Sequence, residues 1–238
     1  MNTKHILLTS ALVVSALAFT SCEDFFDTSS KKDLNTETAY SNLESAEMAL
    51  VGCYDGWQRT ISDAGVGMYL LAEFASEQAL AGLGLSDAKN NNVIDQFNLG
   101  IAPSYNDIFN VDWQNYYKAI FRCNQLIVQE ENIDWAGDTK AQGRVMGEAH
   151  ALRGILYFDL VRMFGDVPLL TTPSEENVPR SPASDVYKVI FEDFKYAIEH
   201  IPADAYLLDN RNTNDGRITK YAAEALMARA YLYYTGYY

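Results

Sequence analysis

Apolar residues recur at helical spacing in several stretches of the chain, and this pattern predicts a mainly α-helical protein. One predicted helix lies within 36–57, and the others lie at 111–131, 142–164, 184–201 and 219–236. In each of them the apolar side chains share one face, which is typical of a helix that packs against a core. The expected fold class is therefore all-α.

The stretch from Arg144 to Leu170 is unusually apolar and ends at a clear stop signal. Few charged residues interrupt it, so neighbouring elements must cover most of its circumference. Gly165 provides a C-terminal cap, and Pro168 prevents the helix from continuing. We expect this helix to lie in the middle of a helical array.

Polar side chains are predicted to cap three helices by accepting hydrogen bonds from free backbone amides. Short polar side chains are favoured at these positions because they reach back to the amides of the first turn. The expected caps are Ser41 or Asn42 for the first helix, Asn110 or Asp112 for the second, and Thr219 for the last.

Two segments between the helices have the composition of loops. Glycine and asparagine are frequent from Ala81 to Tyr105, so this segment is expected to be mostly exposed loop. A second loop is expected at 168–182, which contains four prolines. The stretch 69–80 fits a strand or a short helix equally well. Long irregular segments in compact proteins are often functional.

Two of the predicted helices repeat each other at an offset of 76 residues, with RGILYF at 153–158 matching RAYLYY at 229–234. In both, a small residue (Gly154 or Ala230) is followed four positions later by an aromatic ring. This pattern resembles the signature of tetratricopeptide helices, in which the small residue lets a partner helix approach.

The repeat predicts how the helices pair. We expect two tetratricopeptide-like helical hairpins, one formed by 111–131 with 142–164 and the other by 184–201 with 219–236. Long inserted loops would join them.

The amino terminus has the features of a signal peptide at 1–21. Its apolar run from Ile6 to Phe19 is 14 residues long, whereas a membrane span needs about 20. Small residues directly precede Cys22, as in the lipobox of bacterial lipoproteins. That resemblance implies cleavage before Cys22 and attachment of acyl chains such as palmitate. A polar tether at 22–36 would follow; an ordinary secretory signal is the alternative.

Acidic residues dominate the composition, with 32 Asp and Glu against 18 Lys and Arg and a net charge of −14. This balance argues against nucleic acid as a partner and against electrostatic adhesion to anionic lipid. A lipid on Cys22 would therefore have to supply the membrane anchor. Of the remaining cysteines, Cys53 and Cys123 are interpreted as buried free thiols, with a disulfide as the alternative.

No constellation of catalytic or metal-binding residues is evident, so we predict a protein that is not an enzyme and needs no cofactor. His150 and His200 lack the spacing of metal ligands. Adjacent carboxylates on a helix point about 100° apart, so they do not form a glycosidase pair and are interpreted as solvated. These pairs are Glu130/Glu131, Glu175/Glu176 and Glu192/Asp193.

Several stretches together resemble the SusD/RagB family of outer-membrane lipoproteins from Bacteroidetes. They are the lipobox at Cys22 and the segments 112–127, 147–170, 187–197 and 216–236. Family members are much longer, and the apolar last helix lacks a covering element. We therefore expect 37–238 to be the amino-terminal helical domain of such a protein, truncated at its carboxyl end.

The resemblance implies a lipid-anchored protein on the cell surface, at the outer membrane. Such a protein would bind oligosaccharides, or peptides, and deliver them to a SusC-type TonB-dependent transporter on which it sits. Two other functions stay open: a tetratricopeptide-like envelope scaffold without a small ligand, and a surface hydrolase. The scaffold would retain protein partners but no glycan, and the hydrolase would release products from a polysaccharide.

The resemblance also indicates a region for the ligand site, since family members use the segment around 69–105 for part of it. The candidate residues there are aromatic, carboxylate and amide side chains, the groups that stack on sugar rings or pair with hydroxyls. They are Tyr69, Glu77, Asp87, Asn90, Asn91 and Asn92. Solvated loop residues are the alternative interpretation, and Trp57, Trp113 and Trp135 are interpreted as packing at helix ends.

Overall fold

The computed structural model describes most of the chain after the predicted signal and tether. The described residues are 40–62, 65–76, 78–82, 89–101, 109–206 and 216–237, with the backbone alone for 89, 90, 99 and 237. The predicted signal peptide at 1–21, the lipidation site Cys22 and the tether at 22–36 lie outside this part.

The described residues are mainly helical, which confirms the predicted all-α class. The helices are α1 Leu43–Ser62, α2 Gly67–Ala75, α3 Lys89–Asp95, α4 Asn110–Val128, α5 Thr139–Phe164, α6 Ala183–His200 and α7 Lys220–Tyr237. Short 3₁₀ turns lie at Leu99–Ile101 and Glu130–Asn132. A two-residue ribbon joins β1 Val167–Pro168 to β2 Arg180–Ser181, antiparallel. None of the described helices combines the length and the hydropathy that crossing a bilayer requires.

Helix α5 lies at the centre of the packing, as its apolar sequence predicts. It contacts α1, α4, α6 and α7, and nearly all of its side chains from Val145 to Val161 are buried. It ends at Gly165, whose φ of 68° is the left-handed conformation that a glycine cap adopts easily. The predicted pairs α4/α5 and α6/α7 are both in contact, and the most extensive interface joins α5 to α6.

Three glycines of α5 let α6 approach closely. A methyl group added to Gly154 would lie 3.0 Å from the ring of Phe194, and one added to Gly147 would lie 2.5 Å from Ile201. The small residue of the repeat therefore has the role that the sequence predicted. Gly143 meets the backbone of α6 in the same way.

Two of the predicted helix caps are confirmed. The Asn42 side chain accepts a hydrogen bond from the Ser45 amide at 3.0 Å, and the Ser45 hydroxyl accepts one from the Asn42 amide at 3.0 Å. At the start of α7, Thr219 accepts a hydrogen bond from the Ala222 amide at 3.1 Å. These local caps satisfy backbone donors that the helices leave free.

The prediction that Asn110 or Asp112 caps the second long helix is wrong. Helix α4 begins at Asn110 without a side-chain cap. The buried Asp112 carboxylate instead accepts hydrogen bonds from the amides of Gly67 and Val66, at 2.8 and 3.1 Å. Asp112 thus caps α2, a different helix, and fixes its start against α4.

The segment 81–105 contains more regular structure than its composition predicts. It includes α3 and a 3₁₀ turn, and within the ambiguous stretch at 69–80 helix α2 covers residues 69–75. Val93 and Ile94 are buried and give α3 an apolar face. The run of asparagines before them hides this short periodicity in the sequence.

The two cysteines of the helical domain are free and buried, which confirms the preferred interpretation. A hydrogen bond with Cys53 and burial raise the pKa of the Cys123 thiol. Both thiols are therefore expected to be unreactive.

Candidate functional site

Helices α2 and α3, with the turns that follow them, form a surface that we call the α2–α3 surface (residues 66–76, 78–82 and 91–101). Its inner side is apolar, because Val66, Ala81, Val93 and Ile94 are buried there. Helix α2 and helix α3 pack on each other, and Asp112 holds the start of α2. The outer side can therefore present side chains from a fixed backbone.

Large apolar side chains remain exposed on this surface. Tyr69 is 69% exposed, Phe97 is 79% exposed and Leu80 is 81% exposed. Exposed aromatic rings are the groups on which the apolar faces of sugar rings stack.

Phe97 has a backbone conformation that is unfavourable for its residue type. Its φ is 49°, and its amide donates to the Ile94 carbonyl while the Asn98 amide donates to the Val93 carbonyl. These two hydrogen bonds form the C-terminal helix cap that usually contains a glycine. A bulky residue in this left-handed conformation lowers the stability of the fold by about 1 kcal/mol. Because the ring is exposed, burial does not offset that cost. Strained residues of this kind cluster at ligand sites.

The predicted ligand residues differ in whether the α2–α3 surface exposes them. Tyr69 is exposed, Asn91 is half-buried, and Asn92 is buried with 6% of its surface exposed, so its side chain does not belong to the outer side. Two of the others, Glu77 and Asp87, lie outside the described residues, and only the backbone of Asn90 is described.

Sequence reasoning missed Phe97 and the amides beside it. Gln96 and Asn98 flank the ring and are exposed, and amide side chains pair well with hydroxyl groups. The signal that could have identified the site is Phe97 itself, an aromatic residue in an asparagine-rich segment. Its strained backbone could not be read from the sequence.

A buried ionic network joins helices α4, α5 and α6. The Arg153 guanidinium binds both oxygens of the Asp193 carboxylate, at 2.9 and 2.7 Å. His150 lies 2.7 Å from the same carboxylate, and Arg153 also donates to the Asn124 side chain at 2.8 Å. The interpretation of Glu192/Asp193 as solvated is therefore wrong for Asp193, which is 1% exposed.

This network fastens the segment that follows α5. Asn124 donates to the Leu170 carbonyl at 2.8 Å, and Arg153 donates to the Thr171 carbonyl at 3.1 Å. The Tyr157 hydroxyl both donates to the Leu170 carbonyl, at 2.9 Å, and accepts from its amide, at 2.7 Å. The loop after α5 is thereby fixed against α4 and α5.

A second buried carboxylate, Glu148, joins α5 to α1 and to the segment before α7. It accepts hydrogen bonds from the Tyr54 and Tyr206 hydroxyls, both at 2.5 Å. Its oxygens lie 3.4 Å from Arg144 and 3.4 Å from Arg217. Burial, with the adjacent carboxylate, raises the pKa of Tyr206 to about 12. These paired charges stabilise contacts between elements.

The tryptophans pack as predicted, but to different degrees. Trp135 is buried and donates to the Glu130 carbonyl at 2.9 Å. Trp57 and Trp113 are half-buried. In the part of the chain that the structure describes, no group of three or more His, Cys, Asp or Glu residues is placed to hold a metal ion.

Comparison with known proteins identifies the family. The sequence model of the SusD-like family, described as starch-binding and associating with the outer membrane, matches residues 24–232. A SusD-like protein of Formosa agariphila is 25% identical over 239 residues, which cover 98% of this chain and 43% of that protein. A SusD-like protein of Bacteroides ovatus is 24% identical over 247 residues and is covered to 41%.

Solved structures agree with this match. A laminarin binding SusD-like protein is 30% identical with a TM-score of 0.63, and the match covers 82% of this chain and 41% of that one. A SusD homolog from Bacteroides thetaiotaomicron is 27% identical with a TM-score of 0.64, covering 87% and 39%. The chain thus spans less than half the length of these relatives. Since the family model matches most of the chain, the protein belongs to the SusD-like family.

Proposed function

We propose that the protein binds oligosaccharides at the cell surface, through the α2–α3 surface, and delivers them to a SusC-type TonB-dependent transporter. The observation that carries this proposal is Phe97, an exposed ring on a strained backbone, in a member of a family described as starch-binding. A ring that costs stability and is not buried has a role outside folding.

The proposed ligand contacts combine stacking and hydrogen bonding. Tyr69 and Phe97 would stack on sugar rings, and Asn91, Gln96 and Asn98 would pair with hydroxyl groups. The segments that hold Glu77, Asp87 and Asn90 adjoin this surface in the chain, so these residues stay in the proposal.

Neutral glucans are the first ligand class to test. The family description names starch, and one similar structure is that of a laminarin-binding protein. Peptides are the second class.

Replacing Phe97 by Gly is expected to weaken oligosaccharide binding about tenfold, because a stacking ring is lost. The same change should raise the free energy of unfolding by roughly 0.5–1 kcal/mol, because glycine adopts a positive φ without steric cost. Calorimetry with malto- and laminari-oligosaccharides measures the first effect, and urea denaturation measures the second.

The matched control is Tyr221→Ala, which removes an exposed ring from α7 and should leave binding unchanged. A Phe97→Gly variant that binds glucans as tightly as the original protein would remove the α2–α3 surface from the proposal.

The proposal assigns 1–21 to a lipoprotein signal peptide, 22–36 to a tether and 37–238 to the helical domain. Replacing Cys22 by Ser is expected to abolish lipid attachment and to release the protein from the membrane fraction, because the acyl chains supply the anchor. Metabolic labelling with palmitate and cell fractionation measure this. Cys53→Ala should keep its label; labelling that persists in the Cys22→Ser variant would contradict the assignment.

The transporter is tested by gentle detergent extraction and purification of the protein from outer membranes. A TonB-dependent transporter is expected to co-purify with it. Protein partners without any retention of glycan would instead favour an envelope scaffold.

A further inference from the structure

A groove runs along the exposed side of α4, between this helix and the loop at 173–178. It consists of two adjoining cavities of about 570 and 290 Å³, which share Trp113, Tyr117, Ser174 and Glu175. Volumes of about 300–1,000 Å³ are typical of small-molecule sites. The groove shares no lining residue with the α2–α3 surface.

Three aromatic residues form the helix side of the groove at intervals of four positions: Trp113, Tyr117 and Phe121. Residues four apart lie on one face of a helix and rise about 6 Å, so the three rings extend over about 12 Å. All three are half-buried rather than covered. The row is suited to an extended ligand that lies along α4.

Two of the three rings, Trp113 and Tyr117, are held in place by contacts with neighbouring groups. Trp113 packs edge-on against Phe164 with ring centroids 5.3 Å apart, and its ring centroid is 5.0 Å from that of Tyr117. The Tyr117 hydroxyl donates to the Pro168 carbonyl at 2.8 Å. A ligand would therefore meet preorganised rings, which lowers the entropic cost of binding.

The opposite wall is also fixed. The loop at 173–178 follows directly on Leu170, Thr171 and Thr172, whose carbonyls accept hydrogen bonds from Asn124 and Arg153. The buried Arg153–Asp193 network thus positions the wall against the rings.

The polar groups around the rings indicate the class of ligand. On the helix side, Gln114, Lys118 and Arg122 supply donors; Arg122 is also paired with Asp55. On the loop side, the Glu175 carboxylate accepts hydrogen bonds, and the Asn177 amide can both donate and accept them. Donors face acceptors, and both charge signs are present, which suits a neutral ligand rich in hydroxyl groups, since each hydroxyl both donates and accepts.

We propose that this groove is a second saccharide-binding site, which takes a neutral oligosaccharide along the row Trp113, Tyr117 and Phe121. The assignment rests on the glycan binding proposed above, and it adds a site that shares no lining residue with the α2–α3 surface. Two sites on one chain strengthen retention on a polysaccharide through effective concentration.

The test uses two variants at residues outside the buried core, Phe121→Ala and Glu175→Gln. Phe121 is half-exposed, and Glu175 is exposed on the loop. Calorimetry with maltoheptaose and a laminari-oligosaccharide should give two sites for the original protein. Phe121→Ala and Glu175→Gln should each weaken binding at the groove about tenfold, whereas Phe97→Gly should weaken binding at the α2–α3 surface.

The combined variant Phe97→Gly/Phe121→Ala should lose retention in polysaccharide gels, and Tyr221→Ala should retain it. Binding at the groove should change little between low and high salt, since the ligand is neutral.

Several results would overturn the groove proposal. If Phe97→Gly abolishes all glucan binding while Phe121→Ala and Glu175→Gln leave it unchanged, the groove is no glycan site and the proposed function stands. If a peptide binds at the groove and no glucan does, the proposed ligand class is wrong. The same holds if the affinity at the groove falls steeply as the salt concentration rises. If the original protein binds no glycan, the proposed function fails as well.

Discussion

Replacing Arg153 by Met is expected to lower the free energy of unfolding by about 3–5 kcal/mol, because the buried Asp193 carboxylate loses its guanidinium partner and keeps its contact with His150. Arg153 is the partner of both oxygens of that carboxylate, and it also bonds Asn124 and the Thr171 carbonyl. Urea denaturation followed by circular dichroism measures the loss.

The double variant Arg153→Met/Asp193→Leu is expected to recover a large part of this loss, because it removes both buried charges together. As a control, Lys188→Met breaks an exposed ion pair with Asp185 on α6 and should change stability little. If Arg153→Met were as harmless as Lys188→Met, the network would not be what holds the helices together.

The Arg153→Met substitution should also weaken ligand binding at the groove on α4. The segment 170–172 loses its hydrogen bond from Arg153, so the loop at 173–178 loses its fixed position. A folded Arg153→Met variant is therefore expected to bind oligosaccharide more weakly at the groove, with unchanged binding at the α2–α3 surface.

Replacing Gly143 by Ala is expected to destabilise the protein by about 1–3 kcal/mol. The added methyl group would lie 2.5 Å from the His200 carbonyl oxygen, a backbone atom of α6 that a rotamer change does not move. Alanine is intrinsically better in a helix by about 1 kcal/mol, so the close packing has to outweigh this gain.

Gly52→Ala is the matched control, because Gly52 lies inside α1 and has no atom within 4 Å of the added methyl group. It should stabilise the protein by about 0.5–1 kcal/mol. Thermal and urea denaturation of both variants measure the two opposite shifts. Stabilisation by both substitutions would show that α5 and α6 are not packed as closely as the structure places them.

The helices were predictable because their signals are local. Periodic apolar residues placed α4 to α7 within a few positions, and the caps at Asn42 and Thr219 follow from residue type. Helix α3 was missed, since its apolar face consists of only two neighbouring residues, Val93 and Ile94.

The buried network was predictable in part. Asp193 lies three positions after Ile190 and four before Ala197, so it falls on the apolar stripe of α6 rather than beside it. That position indicates a buried carboxylate, although its partner cannot be read from α6 alone. Interpreting it by its acidic neighbour Glu192 led to the wrong expectation of a solvated pair.

The binding surfaces were less predictable than the fold. Tyr69 and Asn91 were identified through the resemblance to the family, whereas Phe97 is distinguished mainly by its φ of 49°. The ring of Trp113 was interpreted as packing, which its contacts with Tyr117 and Phe164 support. The groove beside these rings could not be predicted from the sequence, because the loop at 173–178 forms its opposite wall.

By itself, the sequence determined the all-α class, most helix limits and the central place of α5, because apolar spacing and capping depend on neighbours along the chain. The tertiary structure alone decided that Asp112 caps α2 and that the loop after α5 lies along α4. Both features depend on hydrogen bonds between residues 45 and 46 positions apart, Asp112 with Gly67 and Asn124 with Leu170. Such pairings have no periodic signal in the sequence and arise only when the helices are packed.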